Sequence, residues 1–212
     1  MNYQEILGGI SERVGGKENC TYYVLIRKKH NRLIAFRDRK KAIEFIEPKF
    51  RHSFLKRVYY YFFLDKGYFL NCKKIQLSSK LGDVIYVANQ IKSFDLDKEE
   101  VYVFEKNKNN FDLRIDLQKE LSKNKLAPGI LEENPDKLYY KEELLYDGDI
   151  SFAKILLKIK IFYDLVDNQY IHGDLCMDHV KVDKKGNVRF IDWEVKSGTP
   201  KEDLDKLIRS IK

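Results

Sequence analysis

The sequence predicts an α+β protein, and three observations support this class. The short apolar run at 84–88 predicts a strand, and so does the run at 100–106, which alternates as strands do because successive side chains point to opposite faces of a sheet. The segments 112–125 and 151–167 repeat apolar residues every three to four positions, which is typical of helices with one buried face. A turn formed by Lys184-Lys-Gly-Asn187 between two apolar runs predicts a β-hairpin.

Composition limits the class of protein further. The chain has 212 residues, which is enough to bury a substantial core. Its three cysteines are irregularly spaced and include no C-x-x-C pair, so we expect a reducing, cytoplasmic environment. The N-terminus lacks the pattern of a signal peptide. The longest apolar run, 58–64, is far shorter than the roughly 20 residues of a spanning helix. We therefore expect no transmembrane segment, and at most a peripheral position at a membrane.

Positive charge is concentrated in the first third of the chain. Residues 1–75 contain 17 Lys and Arg against 7 Asp and Glu, although the whole chain carries only +7. Such asymmetry predicts an anionic partner for this part, either a membrane surface or a nucleic acid; a lysine-rich solvated surface is the alternative. Helices are predicted at 39–46 and 54–64. The aromatic run 59–63 is expected to pack on the rest of the protein, so 1–75 is predicted to be a basic-aromatic N-terminal extension.

Two carboxylates point most directly to chemistry. Asp174 lies in the sequence His172-Gly-Asp174, and Asp192 lies in Ile191-Asp-Trp-Glu194 on the far side of the predicted hairpin. Phosphoryl transfer needs one carboxylate beside the attacking hydroxyl and another that holds Mg²⁺ against the phosphates. The spacing matches the H-x-D loop and the later strand-end Asp of kinases. The amphipathic helix predicted immediately before His172 strengthens the match.

On these motifs the chain resembles the protein-kinase-like superfamily, in the branch marked by HGD and IDWE. That branch includes aminoglycoside and choline phosphotransferases, RIO-type atypical kinases and lipopolysaccharide-core sugar kinases. The resemblance implies a two-lobed protein-kinase-like fold, with an N-lobe at 76–143 and a short C-lobe at 144–212. It also implies ATP as phosphate donor, Asp174 as the catalytic residue supported by His172, and Asp192 as the metal ligand.

One position departs from the family pattern. His179 stands where these kinases usually carry a metal-binding Asn, and the lipopolysaccharide-core kinases are similar to this chain in that respect. Imidazole suits transition metals better than Mg²⁺, so three roles stay open for His179: a contribution to Mn²⁺ binding, a phosphate contact, or neither of these. Asp178 is an alternative oxygen ligand. The expected cofactor is Mg²⁺, with Mn²⁺ as the alternative.

The resemblance also implies nucleotide-binding residues in the N-lobe. Lys106, with Lys108 as the fallback, occupies the place of the lysine that holds the α- and β-phosphates. Asp116 or Glu120 is expected to pair with that lysine. Gly82 is the only glycine in the predicted phosphate-covering turn, and Glu142 lies on the strand that leads to the adenine site.

The acceptor is the least determined part of the interpretation. We expect a hydroxyl of a sugar or glycolipid, because His179 and the short C-lobe resemble the lipopolysaccharide-core kinases. An atypical RIO-like serine/threonine protein kinase is the first alternative. The second is a non-catalytic nucleotide- or RNA-binding pseudokinase, in which residues 1–75 form the contact surface.

Overall fold

The computed structural model describes residues 2–16, 18–27, 32–38, 72–88, 90–166 and 170–211. Within them the protein is mixed α+β, as the sequence predicts. The chain divides into two compact units, Met1–Leu113 with Leu131–Glu142, and Arg114–Ile130 with Glu143–Lys212. The predicted helices at 39–46 and 54–64 and the aromatic run 59–63 lie outside the described residues.

The first unit is built on an antiparallel sheet. It begins with α1 (Tyr3–Val14), whose first turn is capped by the side chain of Asn2. The strands are β1 (Cys20–Arg27), β2 (Arg32–Phe36), β3 (Cys72–Leu77), β4 (Val84–Val87), β5 (Ile91–Asp95), β6 (Glu100–Phe104), β7 (Ile130–Asn134) and β8 (Tyr139–Glu143). Their order across the sheet is β3-β1-β2-β4-β5-β6-β8-β7.

The strand pairing changes the predicted role of residues 1–75. Ala35 of β2 pairs with Ile85 of β4, so strands from before and after residue 75 belong to one sheet. Residue 75 itself lies inside β3, where it pairs with Tyr22. The described residues of 1–75 are therefore part of the first unit, and the sheet has no break at the predicted boundary. Strand pairing between distant segments cannot be inferred from local alternation, which explains the difference.

The core of the first unit lies between α1 and the sheet. Tyr22 is fully buried, and its hydroxyl donates to the carbonyl of Gly82 at 2.7 Å and accepts from the amide of Leu81 at 2.9 Å. Burial raises the pKa of the Tyr22 hydroxyl, which keeps it a neutral donor. The buried cluster consists of Leu7, Ile10, Tyr22, Val24, Leu33, Ala35, Ile75, Leu77, Leu81, Ile85, Val87, Tyr102, Phe104 and Tyr139.

The helix predicted at 112–125 begins and ends earlier, as α2 (Lys108–Lys123). The spacing of Leu113, Leu117 and Leu121 predicts one buried stripe on this helix, but Leu113 is 73% exposed. The buried face instead includes Phe111 and Ile115 together with Leu121. The ring of Phe111 packs edge-on against Tyr140 at 6.4 Å, and this aromatic contact rotates the helix away from the face that leucine spacing alone suggests.

The second unit contains the segment with the two candidate carboxylates. Its elements are α3 (Phe152–Leu165), β9 (Tyr170–Ile171), a 3₁₀ turn (Met177–His179), β10 (Val180–Val182), β11 (Val188–Phe190), β12 (Lys196–Ser197) and α4 (Pro200–Ser210). The predicted hairpin is confirmed, because β10 and β11 pair antiparallel with Val182 opposite Val188. Among the described residues, no helix combines the length and the apolar character needed to cross a bilayer.

Helix α3 forms one wall of the core of the second unit. Apolar spacing predicts a buried face that includes Phe152, Ile155, Leu156, Ile159 and Phe162. Ile155, Ile159 and Phe162 are buried, whereas Phe152 and Leu156 are 40% and 39% exposed, so the predicted face is too wide at the N-terminal end of the helix. The buried cluster is Leu121, Leu126, Ala127, Ile155, Ile159, Phe162, Tyr163, Ile171, Leu175, Val180, Val188, Phe190, Trp193 and Leu207.

Candidate active site

The loop that carries Asp174 follows β9 directly and turns sharply at Gly173. Gly173 has φ +93°, a backbone conformation that favours glycine. A Cβ at this position would lie 3.0 Å from the Cβ of Glu194, and the amide of Glu194 donates to the carbonyl of His172 at 3.0 Å. The glycine of the His-Gly-Asp motif is thus required by the close approach of the second motif segment.

Helix α4 anchors the same loop through a buried acid, Asp203. Its carboxylate is fully buried and accepts from the backbone amides of His172 at 2.6 Å and Gly173 at 3.1 Å. The hydroxyl of Tyr163 on α3 donates to it at 3.3 Å. Burial raises the pKa of Asp203, although the two amide hydrogen bonds oppose the rise. The backbone of the loop is therefore held in place by this carboxylate.

His172 acts as a neutral support of this loop. Its ring is buried against Trp193, with centroids 4.3 Å apart. The amide of Asp174 donates to Nδ1 at 3.3 Å, so Nε2 carries the proton and donates to the carbonyl of Ile191 at 3.1 Å. Burial, with a contribution from the charge of His179, lowers the pKa of His172 to about 3. The ring therefore links the two motif segments and is a poor base at neutral pH.

The β10–β11 hairpin delivers Asp192 to the same place. The amide of Ile191 donates to the carbonyl of His179 at 3.0 Å, which extends the hairpin ladder by one step. Asp192 then adopts φ +59°, an uncommon conformation for a residue other than glycine. Trp193 closes the segment, because its indole donates to the carbonyl of Phe190 at 3.0 Å. The side chain of Asp192 is 43% exposed.

His179 lies between the two candidate carboxylates. Its Nδ1 hydrogen-bonds the main-chain carbonyl of Asp174 at 2.7 Å and lies 3.8 Å from the Asp174 carboxylate. Its Nε2 lies 3.6 Å from the carboxylate of Asp192. Burial opposes a charge on this ring, but the hydrogen bond to Cys176 and the charge of Asp192 outweigh it and raise the pKa of His179 to about 9. The structure thus brings Asp174, His179 and Asp192 into one cluster.

A lysine from α4 completes the cluster. The ammonium of Lys206 donates to the carbonyl of Gly173 and lies 4.0 Å from the Asp174 carboxylate. Lys206 follows Asp203 by three positions, so both project from the same face of the helix. Helix α4 therefore contacts the amide and the carbonyl of Gly173 with two side chains of opposite charge.

The residues present fit a divalent cation at Asp192. An exposed carboxylate is the hard oxygen ligand that Mg²⁺ prefers. A ligating histidine commonly donates its other ring nitrogen to a backbone carbonyl, and the Nδ1 of His179 makes that bond while Nε2 faces Asp192. Asp178, the alternative oxygen ligand, is exposed in the 3₁₀ turn. His179 can ligate only after Nε2 releases its proton to the solvent. Because neutral imidazole favours transition metals, this donor set then suits Mn²⁺ as well as Mg²⁺.

The nucleotide-binding residues predicted in the first unit include two lysines near the start of α2 and one buried glycine. Lys106 is exposed in a bend beyond the end of β6, so the strand predicted at 100–106 is two residues too long. Lys108 opens α2 and pairs with Asp112 at 3.0 Å. Gly82 is buried at φ +107°, and a Cβ there would lie 2.7 Å from the carbonyl of Phe94. Packing explains this glycine, and its role at a phosphate stays a prediction.

The remaining candidates lie on α2 and β8. Asp116 and Glu120 are both exposed on the part of α2 that belongs to the second unit. Glu120 already contacts Lys123 at 3.6 Å and accepts from Asn124. Glu142 is buried near the end of β8. Their roles in nucleotide binding remain predictions.

A second acidic group lies in the first unit. Oxygens of Asp83, Asp95 and Asp97 all lie within 4.8 Å of one another. Two of these carboxylates close turns, because Asp83 accepts from the amide of Leu96 and Asp95 accepts from the amide of Lys98. These contacts give the group a structural role in the β5–β6 connection.

Asp203 and Lys206 are the site residues that the sequence prediction missed. The signal was present in part: Asp203 and Leu207 are one turn apart and both buried, so an acid occupied a position on the apolar face of a helix. A buried acid needs hydrogen-bond donors, and that requirement alone marks it for attention. Which donors it meets depends on how α4 packs against the loop.

No protein-family model matches this chain, and no curated protein matches its sequence.

Proposed function

We propose that this protein is an ATP-dependent phosphotransferase that transfers the γ-phosphoryl group to a hydroxyl. The observation that carries the proposal is the cluster in which His179 lies within 4 Å of the carboxylates of both Asp174 and Asp192. Phosphoryl transfer depends on positioning and electrostatics, and two exposed carboxylates on a rigid loop and hairpin supply both.

In this proposal Asp174 is the catalytic residue. Its carboxylate is 53% exposed, while its backbone is held through the amides that precede it. It orients the acceptor hydroxyl and accepts the proton late in the reaction, as the bond between the acceptor oxygen and the γ-phosphorus forms. The bond from that phosphorus to the β-phosphate oxygen breaks, and ADP leaves with the electron pair. His172 supports the loop as a neutral hydrogen-bonded ring.

Asp192 would hold the divalent cation, with His179 or Asp178 as the further candidate ligand. Mg²⁺ or Mn²⁺, when bound, neutralises charge that develops on the phosphate oxygens. The left-handed backbone of Asp192 supports a functional role, because such strained conformations concentrate at functional sites. Lys106 remains the proposed contact for the α- and β-phosphates, with Asp116 or Glu120 as its partner and Gly82 and Glu142 as further nucleotide contacts.

The proposed acceptor is a sugar or glycolipid hydroxyl. The exposure of Asp174 supports an acceptor that approaches from solvent. His179 is also the residue at which the chain resembles the lipopolysaccharide-core kinases. Phosphorylation of generic protein substrates in preference to sugars would favour the RIO-like alternative. Salt-sensitive RNA binding without ATP turnover would favour the non-catalytic alternative, since phosphate contacts give a steep dependence on salt.

The test is thermal unfolding with ATP and either Mg²⁺ or Mn²⁺. A ligand that binds only the folded state adds about 2.7 kcal/mol at 100 times its Kd, which raises Tm by about 5–10 °C for a chain of this length. We expect that shift for the wild type, dependent on the metal, and its loss in Asp192→Asn.

The matched control is Asp164→Asn, an exposed aspartate on α3 that pairs with Lys160. It should keep the full ATP-dependent shift. Asp178→Asn tests the alternative oxygen ligand, because a normal shift in this variant excludes Asp178 as a required ligand. A folded wild type that shows no shift with either metal would refute the proposed function.

A further inference from the structure

We propose that Lys206 contacts the phosphoryl group that is transferred, so that helix α4 supplies a catalytic cation to the loop that carries Asp174. This inference rests on the proposed function and adds a residue that neither the motifs nor the family resemblance provides. The ligand class is the terminal phosphoryl group of a nucleoside triphosphate.

The first observation is the position of the ammonium group. Lys206 Nζ lies 4.0 Å from a carboxylate oxygen of Asp174, the group proposed to receive the acceptor proton. A phosphoryl group that passes from ATP to a hydroxyl at Asp174 must come close to the same point. The side chain of Lys206 is 43% exposed, so solvent or a ligand reaches it.

The second observation is that the helix fixes the lysine in place. Its ammonium donates to the carbonyl of Gly173, and Asp203 on the preceding turn accepts from the amide of that glycine. Helix α4 begins with a capping box in which Thr199 and Glu202 exchange hydrogen bonds. The lysine therefore extends from a capped helix that is itself bonded to the loop, which is the preorganisation that electrostatic catalysis requires.

The third observation is that the loop brings no lysine or arginine of its own. Between Asp174 and His179 it contains Leu175, Cys176, Met177 and Asp178. Within the described residues, the cations within 4.0 Å of the Asp174 carboxylate are His179 and Lys206. His179 uses Nδ1 on the carbonyl of Asp174 and presents Nε2 to Asp192. Lys206 has three donors and uses one on Gly173, which leaves two for a phosphate.

An ion pair with Asp174 does not by itself account for the arrangement. Both side chains are about half exposed, and exposed pairs contribute roughly 0–1 kcal/mol. A phosphoryl group carries more charge than one carboxylate and accepts several hydrogen bonds. Lysine is also well suited to contact phosphate as a point charge. The contact with the loop therefore serves to place the ammonium, and the phosphoryl group is its ligand.

The test compares the affinities for ATP and ADP, each with Mg²⁺, by calorimetric titration of the full chain. Lys206→Gln removes the charge but keeps a donor for the carbonyl of Gly173. We expect it to weaken ATP binding about tenfold or more, the effect of a lost hydrogen bond to a charged group, and to change ADP binding less than about threefold. Lys206→Arg keeps the charge and should retain the wild-type ratio of ATP affinity to ADP affinity. Lys201→Met, at an exposed lysine of the same helix, is the matched control.

The outcomes separate this inference from the proposed function. If wild type binds ATP and ADP, and Lys206→Gln leaves their ratio unchanged or weakens both equally, the role of Lys206 is refuted and the proposed function stands. If wild type binds neither nucleotide with Mg²⁺ or Mn²⁺, both proposals fail. Binding of ADP by the variant shows that it is folded. If Lys206→Gln does not fold, Lys206→Arg is the deciding variant. A tenfold lower ratio of ATP affinity to ADP affinity in a folded Arg variant would refute the charge contact.

Discussion

Acidification should destabilise this protein through one buried ring, His172. The folded-state pKa of His172 is lowered to about 3 because burial excludes the charged form, whereas an unfolded chain has the ordinary value of about 6.5. Between pH 6.5 and 3 the unfolded chain therefore binds more protons at this position. Stability contributed by the neutral ring is fully present above pH 6.5 and is lost as the pH falls.

The magnitude follows from the two pKa values. Each pH unit within the window changes the free energy of unfolding by about 1.4 kcal/mol per proton. Relative to pH 7, His172 alone lowers the free energy of unfolding by about 2 kcal/mol at pH 5 and about 4 kcal/mol at pH 3. At pH 5 the folded ring is still neutral, so the change down to that pH is set by the titration of the unfolded chain.

The assay is urea unfolding at pH 7, 6 and 5 for wild type and His172→Gln. Glutamine keeps a donor for the carbonyl of Ile191, which His172 bonds through Nε2, and it does not titrate. Carboxylates titrate in both proteins, so the difference between the two slopes isolates the ring. We expect the wild type to lose about 2 kcal/mol more than the variant between pH 7 and pH 5.

Equal slopes for wild type and variant would refute the reasoning, because they would mean that His172 titrates alike in the folded and unfolded states. A wild-type slope smaller than that of the variant would reverse the sign. It would place the folded-state pKa of His172 above 6.5, and the ring would then be charged in the folded protein.

Two further predictions concern the same loop. The pKa of His179 is raised to about 9. The free energy of unfolding contributed by the charged ring is therefore complete below pH 6.5 and is lost as the pH rises through 9. With EDTA present, we expect denaturant titrations of the wild type to show a loss of about 3 kcal/mol between pH 6 and 10, and His179→Gln to lack this loss. Asp203→Ala leaves the buried amides of His172 and Gly173 without their acceptor and should cost about 2–4 kcal/mol of unfolding free energy in a denaturant titration. The neighbouring Asp205→Ala should change it by less than about 0.5 kcal/mol, and an equal effect of the two substitutions would contradict the anchoring role.

Local patterns predicted much of the second unit. The hairpin at 180–190 follows from alternation around a turn with Gly186, whose φ of +75° suits glycine. Helix α3 follows from apolar periodicity, and its predicted limits differ from the observed ones by one or two residues. The order His172-Gly-Asp174, hairpin, Asp192 placed both carboxylates near each other because a hairpin returns the chain to its starting point.

Long-range pairing explains what the sequence did not predict. Helix α1 was not anticipated, nor was the joining of β2 to β4 across residue 75. The buried face of α2 depends on the contact between Phe111 and Tyr140, which lie far apart in the chain. None of these features has a local signature, since each depends on a partner segment many residues away.

By itself the sequence determined the two motifs, the glycine between His172 and Asp174, and the turn that returns the chain to Asp192. These are properties of neighbouring residues, set by backbone sterics and side-chain periodicity. That Asp203 holds the backbone of the loop and that Lys206 reaches Asp174 depends on how the chain packs. The reason is physical: α4 lies about 30 residues beyond the loop, and a hydrogen bond between such segments exists only where packing brings donor and acceptor together.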